Sequence, residues 1–273
     1  MYPVLFKIGA FELRSYGLAL AVSFLLGILI SLKRAQKVNV DQNTIMDLSV
    51  LMIISAIIGS RLLYVLFHLD EFRGRWLDTI SPIQSNGQIG LAGLSVMGGI
   101  ILCFITAFIY LRIKKQSFFK IADVMIPTVG LGIFITRIGC FLNGCCFGLP
   151  CDGHHPFCVT FPLDSPAGSI FPNQPLIPTQ LYSSLYGLMI FGLLLWVERY
   201  KWFDGFLFSL FLILYGISRF TIDIFRYYEE STIVLKMGTT GLTINQLLSI
   251  AFIFAGVGII VANFNLKKKL KSG

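Results

Sequence analysis

Charge is scarce in this chain. Only 13% of its 273 residues are Asp, Glu, Lys or Arg, while 55% are hydrophobic and the mean hydropathy is +0.78. A soluble globular domain carries roughly twice that charged fraction, so the composition excludes one and leaves a polytopic membrane protein. Also missing is a basic n-region followed by an apolar stretch and a small-residue cleavage site. The opening MYPVLFKIGAFELRSYG reads instead as an extracytoplasmic lead-in. Residues 143–178 contain no Lys or Arg at all, which marks them as a segment kept outside the cytoplasm. The net charge of +8 does not point to nucleic acid. The basic residues come in short clusters between apolar runs, as cytoplasmic loops facing anionic lipid do.

What is present is a series of apolar runs. Seven are legible, at roughly 15–33, 44–68, 89–111, 121–142, 179–198, 205–226 and 242–264, each near the ~20 residues a helix needs to cross a bilayer. Lys33, Arg34 and Lys37 follow the first run. Arg112, Lys114, Lys115 and Lys120 separate the third from the fourth, and Arg199 and Lys201 the fifth from the sixth. Lys267, Lys268, Lys269 and Lys271 follow the last. With seven alternating spans all four clusters fall on one side, which the positive-inside rule makes cytoplasmic. The expectation is an all-α protein with seven transmembrane helices, N-terminus outside and C-terminus inside. Residues 1–273 form one integral-membrane domain, with 143–178 as an irregular extracytoplasmic cap between the fourth and fifth helices. Seven prolines from Pro150 to Pro178 rule out a further span there.

Against this apolar background four arginines stand out. Arg61, Arg137, Arg219 and Arg226 lie in the outward half or last turns of the second, fourth and sixth spans, which places them at the level of the outer-leaflet headgroups. An arginine at that depth either snorkels to the interface or serves an anion, and the anion at hand is a lipid phosphate. Tyr215, Arg219, Asp223 and Arg226 fall at i, i+4, i+8 and i+11 and form one polar stripe. Arg219 and Asp223 can pair, either to fix helix packing or to orient a cationic wall. The glycine-rich stretch 87–99, ending in Gly98 and Gly99, suits close helix approach or irregular backbone around a cavity. Cys140, Cys145, Cys146, Cys151 and Cys158 cluster at the outer end of the fourth span. Disulfides, free thiols, or zinc held with His154 and His155 are all open readings. Cys103, in mid-membrane, is expected to pack. No cofactor or metal is expected.

These blocks resemble the bacterial prolipoprotein diacylglyceryl transferases over nearly the whole length. They are Tyr16-Gly-Leu18, Gly59-Ser-Arg-Leu-Leu-Tyr64, Gly93-Leu-Ser-Val-Met-Gly-Gly99, Ala122-Asp123 and Arg137-Ile-Gly-x-Phe-Leu-Asn143 through Gly148. Then follow Pro178-Thr-Gln-Leu-Tyr182, Tyr215-Gly-x-x-Arg219 with Asp223 and Arg226, and Asn245-Gln-Leu-Leu-Ser249. The resemblance implies transfer of the diacylglyceryl group of phosphatidylglycerol to the lipobox cysteine of a prolipoprotein, with glycerol phosphate leaving. It implies a monomer in the bacterial cytoplasmic membrane, its site toward the outer leaflet. It assigns catalytic roles to Tyr16, Arg137, Tyr215, Arg219 and Asp223, the last at a position usually held by Glu. Substrate-binding roles fall on Arg61, Arg137, Arg226, Gly98, Gly99 and Gly148. The chain also departs from the family pattern. Met97 replaces a His, Cys140 an Asn, Cys145 a Glu, and Ile177 and Ser183 another His and Glu. Methionine cannot take a proton, so Met97 cannot be the thiol's base, and His154 and His155 are the nearby substitutes. Two alternatives therefore stand: a paralogue with another acceptor, or a non-enzymatic protein that binds anionic lipid. A transporter of the inverted-repeat kind finds no internal repeat to support it.

Overall fold

The computed structural model describes residues 2–8, 11–72, 95–151, 157–228, 233–237 and 240–272. Among them, six helices are long and apolar enough to cross a membrane. They are α1 (Ser15–Lys37), α2 (Gln42–Phe67), α5 (Phe118–Asn143), α7 (Thr179–Val197), α8 (Phe206–Phe225) and α9 (Ile244–Ser272). The third expected span corresponds to α4 (Val96–Ile113), a shorter apolar helix; residues 89–94 of that run lie outside the described residues. Short α3 (Leu69–Phe72) follows α2, and α6 (Pro166–Ile170) lies in the cap.

Three small two-stranded sheets among the described residues were not expected from the sequence. β1 (Val4–Ile8) pairs with β2 (Phe11–Arg14), β3 (Val159–Thr160) with β4 (Pro175–Leu176), and β5 (Ile233–Met237) with β6 (Thr240–Thr243). In β5–β6 the strands are antiparallel, with Ile233 opposite Thr243.

The chain divides into two compact units, one of Met1–Lys7, Glu12–Ile30 and Ala122–Gly273, the other of Ile8–Phe11 and Ser31–Ile121. In the second, α2 and α4 run antiparallel in close contact. Ser55 donates to Thr106 at 2.9 Å, the Cys103 thiol to the Met52 carbonyl at 3.1 Å, and Tyr110 to Asp47 at 2.8 Å. Gly98 faces Gly59 so tightly that a Cβ on either would collide with the other's carbonyl oxygen, and one on Gly99 would stand 2.5 Å from Ser60 Oγ. In lipid, association rests on such close packing because apolar burial against a partner gains little over burial against lipid tails. Asp41 starts α2 by accepting from the Asn43 and Thr44 amides at 3.2 and 3.1 Å.

In the first unit the helices are packed inside out. The buried face of α7 is Thr179, Gln180, Ser183, Ser184, Gly187, Ile190 and Leu194, a single stripe at helical spacing made mostly of small or polar residues. Leu185, Met189 and Trp196 point outward and are more than half exposed. That is the arrangement a lipid solvent selects. Lower down, Ile190, Leu194, Leu207 and Phe211 join α7 to α8. Asp123 of α5 reaches across to start α8, accepting from the Gly205 and Phe208 amides at 2.8 and 2.9 Å. Lys201 completes that corner, 3.0 Å from Asp123 and 2.8 Å from Asp204. The cap has its own small core of Phe147, Phe161, Ala167 and Leu176, and a disulfide joins Cys151 to Cys158.

Candidate functional site

The outer end of α5 sets the geometry of the site. Past Asn143 the chain turns on Gly144, whose φ of +71° suits glycine. The Gly144 amide bonds to the Phe141 carbonyl and the Cys145 amide to the Cys140 carbonyl, both at 3.1 Å. This pair of bonds is a Schellman cap, and it folds Cys145 back over Cys140. Cys146 follows in the left-handed region at φ +62°, an uncommon place for a residue with a side chain. The first turn of α7 holds this loop down. Gln180 Nε2 donates to the Cys145 carbonyl at 2.8 Å and Thr179 Oγ1 to the Cys146 carbonyl at 2.9 Å.

The result is three thiols gathered where the family pattern has an Asn and a Glu. The sulfurs of Cys140, Cys145 and Cys146 all lie within 4.8 Å of one another, and none is in a disulfide. Arg137, one turn below Cys140, and Arg226 both act electrostatically on the Cys146 thiol. Tyr16, in the first turn of α1, faces these same groups. Gly139 permits that approach: a Cβ there would stand 2.6 Å from Ala19 Cβ and 3.2 Å from Tyr16 Cα.

On α8 the stripe forms as its spacing implied. Arg219 sits 3.3 Å from Asp223, whose side chain is fully buried. The structure adds partners that spacing could not reveal. Tyr228 donates to Asp223 Oδ1 at 2.5 Å and accepts from Arg219 at 2.9 Å and from Asn245 at 3.1 Å. Thr243 donates to the other carboxylate oxygen at 2.7 Å. Thr243 is itself fixed by a reciprocal capping box with Gln246 at the start of α9, with bonds of 3.0 and 3.2 Å. The sequence signal for this was Thr243-Ile-Asn-Gln246, overlooked beside the family block that begins at Asn245. Burial raises the Tyr228 phenol above its usual range, so it stays a donor at neutral pH.

Arg137, Tyr215 and Arg219 line one small cleft between α5, α7 and α8, together with Ser183, Tyr186 and Ser218; its cavity volume is about 20 Å³ and it is partly open. Tyr186, Ile190 and Ser218 also border a second groove between α7 and α8. That groove has a volume of about 500 Å³ and is lined mainly by apolar side chains, among them Met189, Leu193, Trp196, Leu214 and Ile217. Arg226 ends α8 with its guanidinium 5.1 Å from the Tyr228 ring, and its Nε is buried without a hydrogen-bond partner. Gly148 bridges to Arg226. A Cβ on Gly148 would lie 2.7 Å from the carbonyl oxygens of both Ile177 and Phe225, so it joins the cap to the end of α8.

Some expected site residues fall elsewhere. Arg61, Gly98, Gly99 and Met97 belong to the second unit. There Arg61 is buried with its guanidinium 5.0 Å from the Phe72 ring and 5.9 Å from that of Tyr64. His154, His155 and residues 87–94 lie outside the described residues.

Comparison with known proteins bears on this geometry. A family model described as prolipoprotein diacylglyceryl transferase matches residues 3–262. Among curated relatives, the chain is similar to a phosphatidylglycerol–prolipoprotein diacylglyceryl transferase of Finegoldia magna, 34% identical over 94% of each chain. The enzyme of that name from Clostridium tetani is 29% identical over 98% of this chain and all of the relative. One from Clostridium perfringens, designated transferase 1, is 32% identical over all of this chain and 98% of the relative.

Proposed function

The chain belongs to the prolipoprotein diacylglyceryl transferase family, and on that premise we propose that it moves the diacylglyceryl group of phosphatidylglycerol onto the lipobox cysteine thiol of a prolipoprotein. The observation that carries the proposal is the pair of adjoining cavities. One has two guanidiniums and two phenols; the next is a mainly apolar groove that shares its rim at Tyr186, Ile190 and Ser218. A phosphate head on an acyl tail is the ligand class with that division of chemistry.

In the proposed reaction the acceptor sulfur attacks the glyceryl carbon that carries the phosphate ester. A C–S bond forms, the C–O bond breaks, and its electron pair goes to the phosphate oxygen of departing glycerol phosphate. Arg137 and Arg219 meet the charge that grows on that leaving group, the kind of stabilisation that usually contributes most. Asp223 and Tyr228 hold Arg219 in place. Tyr16 and Tyr215 supply hydrogen bonds to the headgroup or the incoming thiol, and Arg226 adds positive potential. Gly148, Gly98 and Gly99 serve through close backbone packing. We place the site at the outer leaflet of the bacterial cytoplasmic membrane, in a monomer of seven spans with the N-terminus outside.

The test is mass spectrometry of a lipobox peptide incubated with phosphatidylglycerol and the purified protein. The expected outcome is a gain of one diacylglyceryl group on the cysteine and none on a Cys→Ser peptide. Gain on a different acceptor would instead mean a paralogue, a reading favoured by Met97, Cys140 and Cys145. Binding of lipid without turnover would leave a lipid-binding protein.

A further inference from the structure

The acceptor thiol has a chemical requirement that this chain leaves open. A cysteine thiol with an ordinary pKa of ~8.5 is mostly protonated at neutral pH, and only the thiolate is a good nucleophile. Met97 cannot take the proton. What the chain has gained, at the end of α5, is three thiols.

Among the described residues, their arrangement supplies three ligands for a metal ion. Zinc binds thiolate sulfur at about 2.3 Å, which puts three sulfurs on one tetrahedral ion roughly 3.8 Å apart. The sulfurs of Cys140, Cys145 and Cys146 span at most 4.8 Å, so side-chain rotation has to close about 1 Å or less. The Schellman turn and the left-handed backbone at Cys146 hold neighbouring cysteines convergent, and α7 clamps both carbonyls. Among the described residues no further His, Cys, Asp or Glu joins the cluster. Three protein ligands and a vacant fourth position is the form of catalytic zinc, in contrast to four-ligand structural sites. The surroundings also suit an anionic complex. Arg137 and Arg226, the latter with a buried unpartnered Nε, both act electrostatically on the Cys146 thiol. Zinc with four thiolates carries two negative charges, and these two guanidiniums carry two positive ones.

We infer that Cys140, Cys145 and Cys146 bind a zinc ion whose fourth ligand is the acceptor cysteine, an inference that rests on the transfer reading above. The trio differs from the ligand set suggested by the loop, since Cys151 and Cys158 are in a disulfide. On binding zinc the acceptor thiol releases its proton to water, because a coordinated thiol is deprotonated outright. The zinc-bound sulfur then attacks the glyceryl carbon, and glycerol phosphate leaves with the bonding pair of the C–O bond. The product sulfur is a neutral thioether, a much weaker ligand than thiolate, so it dissociates and vacates the fourth position.

The full chain, purified in detergent under reducing conditions, is expected to carry one zinc by elemental analysis and to lose it in Cys145→Ser and Cys146→Ser. Replacement of zinc by cobalt(II) should give a thiolate charge-transfer band. That band should strengthen when a lipobox cysteine peptide is added and stay unchanged with the Cys→Ser peptide. Stripping the wild-type protein of metal should lower transfer about 100-fold or more, the scale of a lost proton acceptor, and zinc should restore it. This arm needs no variant and stands even if the substitutions misfold. Full transfer by metal-free protein overturns the inference and leaves the transferase reading intact. So does a disulfide within the trio in protein alkylated directly in membranes. If zinc-loaded protein transfers nothing, the transferase reading fails, and a cobalt band indifferent to the peptide thiol removes the zinc inference as well.

Discussion

At the scale of single residues, the charged stripe on α8 was legible because helical spacing makes i and i+4 neighbours, and Arg219 does pair with Asp223. Tyr228 was not legible. The helix ends at Arg226, which adopts extended backbone with φ −90° and ψ 139°, and past that point no periodicity predicts where a side chain returns. Yet Tyr228 is the hub that bonds Arg219, Asp223 and Asn245. Tyr228→Phe keeps the ring and removes only the hydroxyl. A hydrogen bond to a charged group contributes about 1.5–3 kcal/mol to stability, so Tm should fall, and the same loss in positioning Arg219 should lower kcat/KM for peptide modification about 10- to 100-fold. An unchanged kcat/KM would mean that Arg219 needs no such support. Arg137→Ala should cost more, about 100- to 1,000-fold in kcat, as loss of a donor to developing charge does. Wild-type turnover in that variant would remove the phosphate-site argument. Gly148→Ala works through packing. Its Cβ would meet two backbone carbonyl oxygens and the Cβ of Ile177, so relief requires the backbone to move apart. A loss of about 1–3 kcal/mol is expected, read as a lower Tm together with reduced transfer.

At the scale of elements, the long helices followed from apolar run length, and the expected boundaries differ from those found by a few residues. Short elements were invisible for a physical reason. Strands of two to five residues carry too little alternation to register, and hydrogen bonding around the turns decides them. The role of Asp123 was hidden too, because it caps a helix some eighty residues further on. Asp123→Ala leaves two amides without their acceptor and Lys201 with Asp204 alone. Removing one partner of a buried pair costs about 3 kcal/mol or more, and since Lys201 is partly exposed the lower end applies. The same corner predicts a pH effect. Burial pulls the Lys201 ammonium down, but hydrogen bonds to Asp204 and Asp123 outweigh it and raise its pKa above the ordinary lysine value. A raised lysine contributes stability that is fully present below its unfolded pKa and lost as pH climbs through the folded one. The Tm difference between wild type and Lys201→Ala should therefore be full near about pH 8 and shrink toward about pH 12. A difference that grew with pH would contradict the pairing.

At the scale of the whole molecule, composition made the class legible, and the placement of basic clusters predicts an orientation. Distribution of Lys and Arg is a statement about insertion energetics, since basic loops are retained on the cytoplasmic side. Lys115 lies in the exposed turn between α4 and α5, and Asp164 is exposed in the cap. Seven spans with the N-terminus outside put these two on opposite faces of the membrane. Lys115→Cys and Asp164→Cys, each expressed in intact cells stripped of their outer layers, can be treated with a membrane-impermeant thiol reagent that adds mass. The Asp164→Cys protein should gain one label beyond the parent chain, and the Lys115→Cys protein should gain it only after the membrane is permeabilised. Labelling of both without permeabilisation would mean that α5 does not cross the membrane. The reverse pattern would invert the chain and move Arg137, Arg219 and the three thiols to the cytoplasmic leaflet. A lipobox cysteine presented at the outer leaflet could not then reach them, so this measurement decides the topology and the direction from which the acceptor must arrive.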